Sequence, residues 1–206
     1  MLNEIANVFF PHETITEIKA FGNGHINDTY KLILENKSEQ YILQRINHNV
    51  FPDPQGIIQT HLKLQNLLEK GNHSYCIPKI FPTRDGKFLH FDEEGNAWRM
   101  TNYISDSYTI EVIKEDWQAY EAGSAYGWFA NVCSTLNPTE FKEAIKDFHK
   151  LSFRITQVNQ AISENAADRL KLIPDVIDFY KKREAALGEI ESMVESGEIP
   201  LRIVHN

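Results

Sequence analysis

Apolar and polar residues alternate along residues 15–21 and again along 29–35, where Tyr30, Leu32 and Leu34 fall on one side. That period of two is the mark of half-buried strands. Between them stand Gly22, Asn23 and Gly24, residue types that tolerate a left-handed backbone and so predict a turn. A third run, residues 41–46, follows the polar break 36–40 and completes three strands in meander spacing. The period then lengthens. After a loop carrying Pro52 and Pro54, the positions Ile57, Ile58, Leu62, Leu64, Leu67 and Leu68 predict an amphipathic helix, stopped by Gly71 and Asn72. Residues 79–91 read as a hairpin with Asp85-Gly86 at its turn, and 97–104 as a further strand.

From Trp117 onward the texture is helical: 117–136 is rich in Ala and aromatics, 140–160 is periodic, and 175–195 is amphipathic and laced with charge. Gly197 and Pro200 break that pattern. The last residues, 201–206, form an apolar, strand-like run with no closing turn, whose edge would stand unpaired. The shift in composition at 105–107 predicts a lobe boundary, giving lobes 1–104 and 105–206. The fold class is therefore α+β, with an antiparallel N-terminal sheet of five strands and one helix, followed by a mainly helical segment.

Composition narrows the function. The 206-residue chain has 21 Lys+Arg against 29 Asp+Glu, a net charge of −8, and no dense cationic run, which argues against a nucleic-acid partner. Cys76 and Cys133 have neither the spacing of a redox pair nor that of half a zinc site, and a reducing compartment suits them. No apolar run approaches the roughly 18–20 residues that span a bilayer. The N-terminus lacks the cationic segment and apolar stretch of a secretory signal. A soluble, cytoplasmic protein is expected, with oligomeric state left open.

A glycine turn between two strands lets backbone N–H groups approach phosphate oxygens, although a plain hairpin turn satisfies the same pattern. The order of elements adds to it: glycine hairpin, third strand, helix, then strands leading into an apolar connector is the order of a kinase small lobe.

The stretch Phe21-Gly22-Asn23-Gly24-His25-Ile26-Asn27-Asp28-Thr29-Tyr30, with Tyr41-Ile42-Leu43-Gln44-Arg45-Ile46-Asn47, resembles the N-terminal region of the aminoglycoside phosphotransferase and choline kinase-like superfamily. Within that group the similarity is greatest to the N-acetylhexosamine 1-kinases. Asp147-Phe148-His149 and the final Arg202-Ile203-Val204-His205-Asn206 extend it along the chain. The resemblance implies a protein kinase-like fold with a partial C-terminal lobe. It implies ATP and Mg²⁺ as cofactors, and a small hydroxylated substrate, an amino sugar phosphorylated at its anomeric hydroxyl, in carbohydrate metabolism. In the family a His-Asn-Asp run opens the catalytic loop. Here His205 and Asn206 are the final residues, so the resemblance implies a chain cut before its catalytic aspartate and metal ligands and inactive as it stands. A non-catalytic, pseudokinase-like module that binds nucleotide or a partner is the alternative.

The resemblance assigns nucleotide contacts to Gly22, Asn23, Gly24, His25, Ile26, Asn27 and Thr29 around the turn, and to Thr101, Asn102, Tyr103 and Ile104 in the connector. His25 is also placed to meet sugar hydroxyls. The position of the strand lysine is held by Gln44, with Arg45 beside it. By alternation the two point to opposite faces, so either Gln44 offers a neutral hydrogen bond or a bulge turns Arg45 into the cleft. Asn27 and Thr29 can brace the turn through side-chain to backbone bonds. The helix offers only Glu69, at its far end, as a partner for a strand cation. The remaining histidines, His73 among them, show no metal-ligand spacing. Trp98, Trp117 and Trp128 read as packing aromatics.

Overall fold

The computed structural model describes residues 1–71 and 75–205. Asn72, His73 and Asn206, which figure in the expectations above, lie outside the described residues. The chain divides into two compact units, 1–129 and 130–206.

In the first unit the alternation becomes an antiparallel sheet of six strands: β1 (Ile15–Ala20), β2 (Asp28–Leu34), β3 (Gln40–Ile46), β4 (Ile80–Phe81), β5 (His90–Phe91) and β6 (Ala97–Asn102). The spatial order is β1-β2-β3-β6-β4, with β5 also on β6. A single antiparallel sheet with a helix between its third and fourth strands matches the architecture expected from the sequence, although the count is six. The arms of the expected 79–91 hairpin pair with β6 and not with each other: Ile80 and Phe81 lie opposite Thr101 and Met100, while His90 and Phe91 lie opposite Trp98 and Ala97. The two arms thus share one edge of β6. The Asp85-Gly86 turn forms locally, closed by Thr83 N donating to the Lys87 carbonyl (2.6 Å) and by Gly86 at φ +80°.

Two helices cover opposite faces of this sheet. Helix α1 (Leu2–Phe9), which the sequence reading omitted, buries Ile5, Ala6 and Phe9 in a core with Leu32, Leu34, Tyr41, Leu43, Trp98 and Met100. Helix α2 (Pro54–Leu68) starts where predicted, with Pro54 in its first turn and the Asp53 carboxylate accepting from Gly56 N (2.9 Å). It joins Ile58 to Ile46, Ile80, Leu89 and Ala97 in a second core.

Helix α3 (Asp116–Cys133) carries the chain out of the first unit. Trp117, expected to pack, is 52% exposed on it. In the second unit the helix expected from residue 140 starts later, as α4 (Leu151–Glu164). Before it stand a 3-10 turn, Pro138–Glu140, capped by Asn137, and an irregular segment in which Asp147 takes a left-handed φ of 56°. The expected 175–195 helix is two, α5 (Pro174–Lys181) and α6 (Glu184–Glu195). Arg183 separates them, its Nη1 donating to the Phe179 carbonyl (3.1 Å), a cation closing the C-terminal end of α5. Helices α4 and α6 are tied by Ser152 Oγ donating to Glu191 Oε1 (3.0 Å). Residues 201–205 form no strand, contrary to the expectation from their apolar run. Among the described residues, no helix is long and apolar enough to cross a membrane.

Candidate functional site

Cross-strand partners share a sheet face, so the register settles what each face carries. Leu32 faces Tyr41, and Leu43 faces Met100; these belong to the α1 side. On the other side Thr29 faces Gln44 and Lys31 faces Ile42, while across β6 Gln44 faces Arg99 and Ile42 faces Thr101. Along β2 and β3 the residues of this second face are only half-buried, except Ile46 at the end covered by α2.

Hydrogen bonds organise its centre. Gln44 Nε2 donates to Thr29 Oγ1 (3.0 Å), which orients the amide so that Gln44 Oε1 accepts from both Arg99 Nε (3.0 Å) and Arg99 Nη2 (2.8 Å). Pairing along β3 is uninterrupted on both sides, so the bulge that would turn Arg45 onto this face is absent. Arg45 instead donates from Nε to Asp28 Oδ2 (2.6 Å) at the end of β2. The strand cations of this face are therefore Lys31 of β2, set over the Tyr103 ring, and Arg99 of β6, which faces Gln44.

Burial pushes the Arg99 pKa down, but a guanidinium remains charged at any physiological pH. His61 of α2 lies near it. Burial lowers the His61 pKa, its ring N–H donation to the Pro78 carbonyl (2.7 Å) acts the other way, and the Arg99 charge lowers it further. Glu69, the one acidic residue at hand on this helix, faces Lys79 (3.5 Å) and accepts from Gln65 (3.2 Å) at the helix end.

An aromatic end of the same face adjoins the glycine turn. Phe21 N extends the ladder by donating to the Thr29 carbonyl (2.9 Å). Its ring meets the Tyr103 ring edge-on at 5.5 Å, and Lys31 Nζ sits 3.7 Å from the Tyr103 centroid. The connector is partly committed: Asn102 N donates to the Lys79 carbonyl (3.0 Å) and Tyr103 N to the Gln40 carbonyl (2.8 Å). Thr101 is buried within the sheet. Ile104 N–H has no partner among the described residues, while its carbonyl accepts from Ser107 Oγ (2.6 Å).

The turn itself, residues 21–27, joins β1 to β2. Gly22 holds φ +84°, a conformation that disfavours any side chain, and a Cβ at Gly24 would meet nothing within 4 Å. Asn23 Nδ2 donates to Glu111 Oε1 (2.6 Å) in the segment beyond the connector. Asn27 Oδ1 accepts from Asn47 N (2.9 Å), the backbone brace expected of it, whereas Thr29 braces the Gln44 side chain instead. His25 and Ile26 line a cavity of ≈ 320 Å³ together with Arg45, Asn47 and His48. The structure thus divides the expected residues into three groups: Thr29 and Gln44 with Arg99, Phe21 with Tyr103, and His25, Ile26 and Arg45 around the cavity at the strand ends. The sequence signal that bears on Arg99 is the alternation in strand 97–102, where Ala97, Arg99 and Thr101 take one face and Trp98 and Met100 the other.

Among the described residues no three His, Cys, Asp or Glu side chains stand together to hold a metal ion.

No family model matches the chain. Among solved structures, it is similar in outline to a spectinomycin phosphotransferase in complex with ADP and spectinomycin, at 14% identity and a TM-score of 0.48. The likeness covers 98% of this chain and 58% of that one, so the chain spans little more than half of that protein's length.

Proposed function

We propose that the first unit is the nucleotide-binding lobe of an ATP-dependent small-molecule phosphotransferase, with the 21–27 turn as a cover over the phosphates. The observation that carries this reading is the half-buried sheet face beside that turn, with Phe21 and Tyr103 beside Lys31 at one end and Arg99 at the other. Phe21 and Tyr103 with the half-buried Ile42 suit a flat base; Thr29, Gln44 and Arg99 suit phosphate oxygens, because a planar guanidinium matches their geometry. The open space around Gly24 leaves room for a phosphate to approach the backbone.

The acceptor in this proposal is the anomeric hydroxyl of an N-acetylhexosamine, reached near His25. That finer assignment rests on the sequence resemblance. Transfer of γ-phosphate from ATP in the presence of Mg²⁺, measured with the full-length protein against N-acetylhexosamines, choline and an aminoglycoside, tests it. Phosphorylation of the N-acetylhexosamine alone is the expected result, phosphorylation of another acceptor moves the assignment, and no transfer to any leaves the second reading. That second reading is a non-catalytic module that binds nucleotide or a partner chain. It is favoured by the apolar side chains exposed on residues 130–206, Phe148, Leu172, Val176 and Phe179 among them.

A further inference from the structure

In the small lobe of a kinase, a strand lysine binds phosphate and is steadied by a helix glutamate. Here both members are absent. The β3 position is Gln44, and α2 contains no acidic residue between Pro54 and Leu68. Glu69 is engaged with Lys79 and Gln65. What stands at that place is Arg99, whose only described hydrogen bonds run to the neutral Gln44 carbonyl oxygen.

A half-buried cation without a carboxylate is costly unless an anion completes it. Arg99 Nη1 bonds to no described group, and since among the described residues no fully buried side-chain nitrogen lacks a partner, Nη1 is not sealed off from solvent. The Gln44 amide occupies Nε and Nη2 together, fixing the guanidinium plane and leaving the Nη1 edge free. The neighbouring His61, whose ring lies against the Pro78 carbonyl, is no counterion, since an imidazole is either neutral or cationic.

We infer that Arg99, held by the Gln44–Thr29 hydrogen-bond chain, is the phosphate-binding cation of this protein and takes the place of the strand lysine from the neighbouring strand. The inference rests on the nucleotide reading for the identity of its ligand, but the anion site itself does not depend on the base. Gln44 then acts as a positioning residue, and Arg99 contacts the ligand.

The test is titration of the chain with ATP, with inorganic tripolyphosphate and with adenosine. Three forms are compared: wild type, Arg99→Met and Gln44→Glu. The second substitution keeps the shape of the amide but supplies Arg99 with an internal counterion, so it tests the site even where Arg99→Met fails to fold, and a thermal melt identifies that case. Both variants are expected to weaken ATP and tripolyphosphate about tenfold or more, as loss of a charged hydrogen bond does, with adenosine affinity unchanged. ATP bound as tightly by the folded variants as by wild type overturns the role of Arg99 and leaves the nucleotide reading standing. Tripolyphosphate binding that depends on Arg99, with adenosine not bound and ATP no tighter than tripolyphosphate, overturns the nucleotide reading and leaves the anion site. Binding of none of the three probes to wild type overturns both.

Discussion

The two faces of the sheet are built from alternate residues of the same strands, yet they are finished differently. On the α1 side Leu32, Leu43, Trp98 and Met100 are each at most 1% exposed, and the polar atoms are answered from within the chain. Trp98 Nε1 donates to Asp92 Oδ2 (2.8 Å), and the Tyr41 hydroxyl donates to Glu39 Oε2 (3.0 Å), which with burial drives the Tyr41 pKa up to about 12. On the other side α2 covers the end bearing Ile46 and Ala97, while Thr29, Ile42, Gln44 and Arg99 remain half-buried. One face has its charge and hydrogen bonds closed; the other keeps an arginine with an unused N–H edge. The difference separates what holds the lobe together from what is left for a ligand.

The largest effect follows from cutting the closed face. Leu43→Ala removes a side chain with no exposure and is expected to destabilise the first unit by about 2–5 kcal/mol in denaturant unfolding, the range of buried Leu truncations. Ile42→Ala, one residue away on the half-buried face, should cost clearly less. Equal losses would break the comparison, because they would mean that the second face is packed as fully as the first.

Much of this architecture is legible in the sequence, since a period of two over 29–34 and 41–46 fixes which residues share a face. The start of α2 is equally plain, as Asp53 and Pro54 carry a cap and a first-turn signal. Helix α1 is legible too, since Leu2, Ile5, Ala6 and Phe9 have helical spacing, although the segment is only eight residues long and has no side-chain cap. What the sequence does not contain is register between distant strands. Gln44 and Arg99 are far apart along the chain, and only the pairing of β3 with β6 brings them together. Read alone, Arg99 looks like an ordinary outward strand charge. The same limit applies to 79–91, where the turn chemistry was right but β6 captured both arms, and to 201–205, where an apolar run forms no strand.

An intermediate effect concerns the polar closure of the α1 face. Burial raises the Asp92 pKa, but bonds from Trp98, Asn96 and Glu94 outweigh it and hold the carboxyl below its ordinary 3.8. A folded-state pKa that is lowered stabilises the fold above the ordinary carboxylate value, and that stabilisation is lost as pH falls through the lowered value. Trp98→Phe removes one donor to a charged acceptor and is expected to cost about 1.5–3 kcal/mol at pH 7. It should also shallow the loss of stability on acidification below about pH 4, the usual aspartate range. Unfolding free energies at pH 7 and pH 3 check both. A variant that loses the same amount at each pH would show that the indole bond is not what sets the Asp92 charge, and the closed face would then owe less to its polar rim.

The smallest effect separates the two arginines. Arg45 projects from the strand end of the closed face and pairs with Asp28, both side chains being nearly half exposed, 41% and 47%. Water screens such a pair, so Arg45→Ala is expected to cost less than about 1 kcal/mol, with the cost shrinking further in molar salt. Arg99 has no such partner, and its substitution by Met removes an unneutralised charge rather than half of an ion pair. Unfolding at low and high salt therefore distinguishes the two sites: the Arg45 loss should fade with salt, whereas any change at Arg99 should follow added tripolyphosphate instead. A loss at Arg45 of several kcal/mol that persists in molar salt would mean that the Asp28 pair is a structural anchor. The strand end would then belong with the closed face in strength as well as in position.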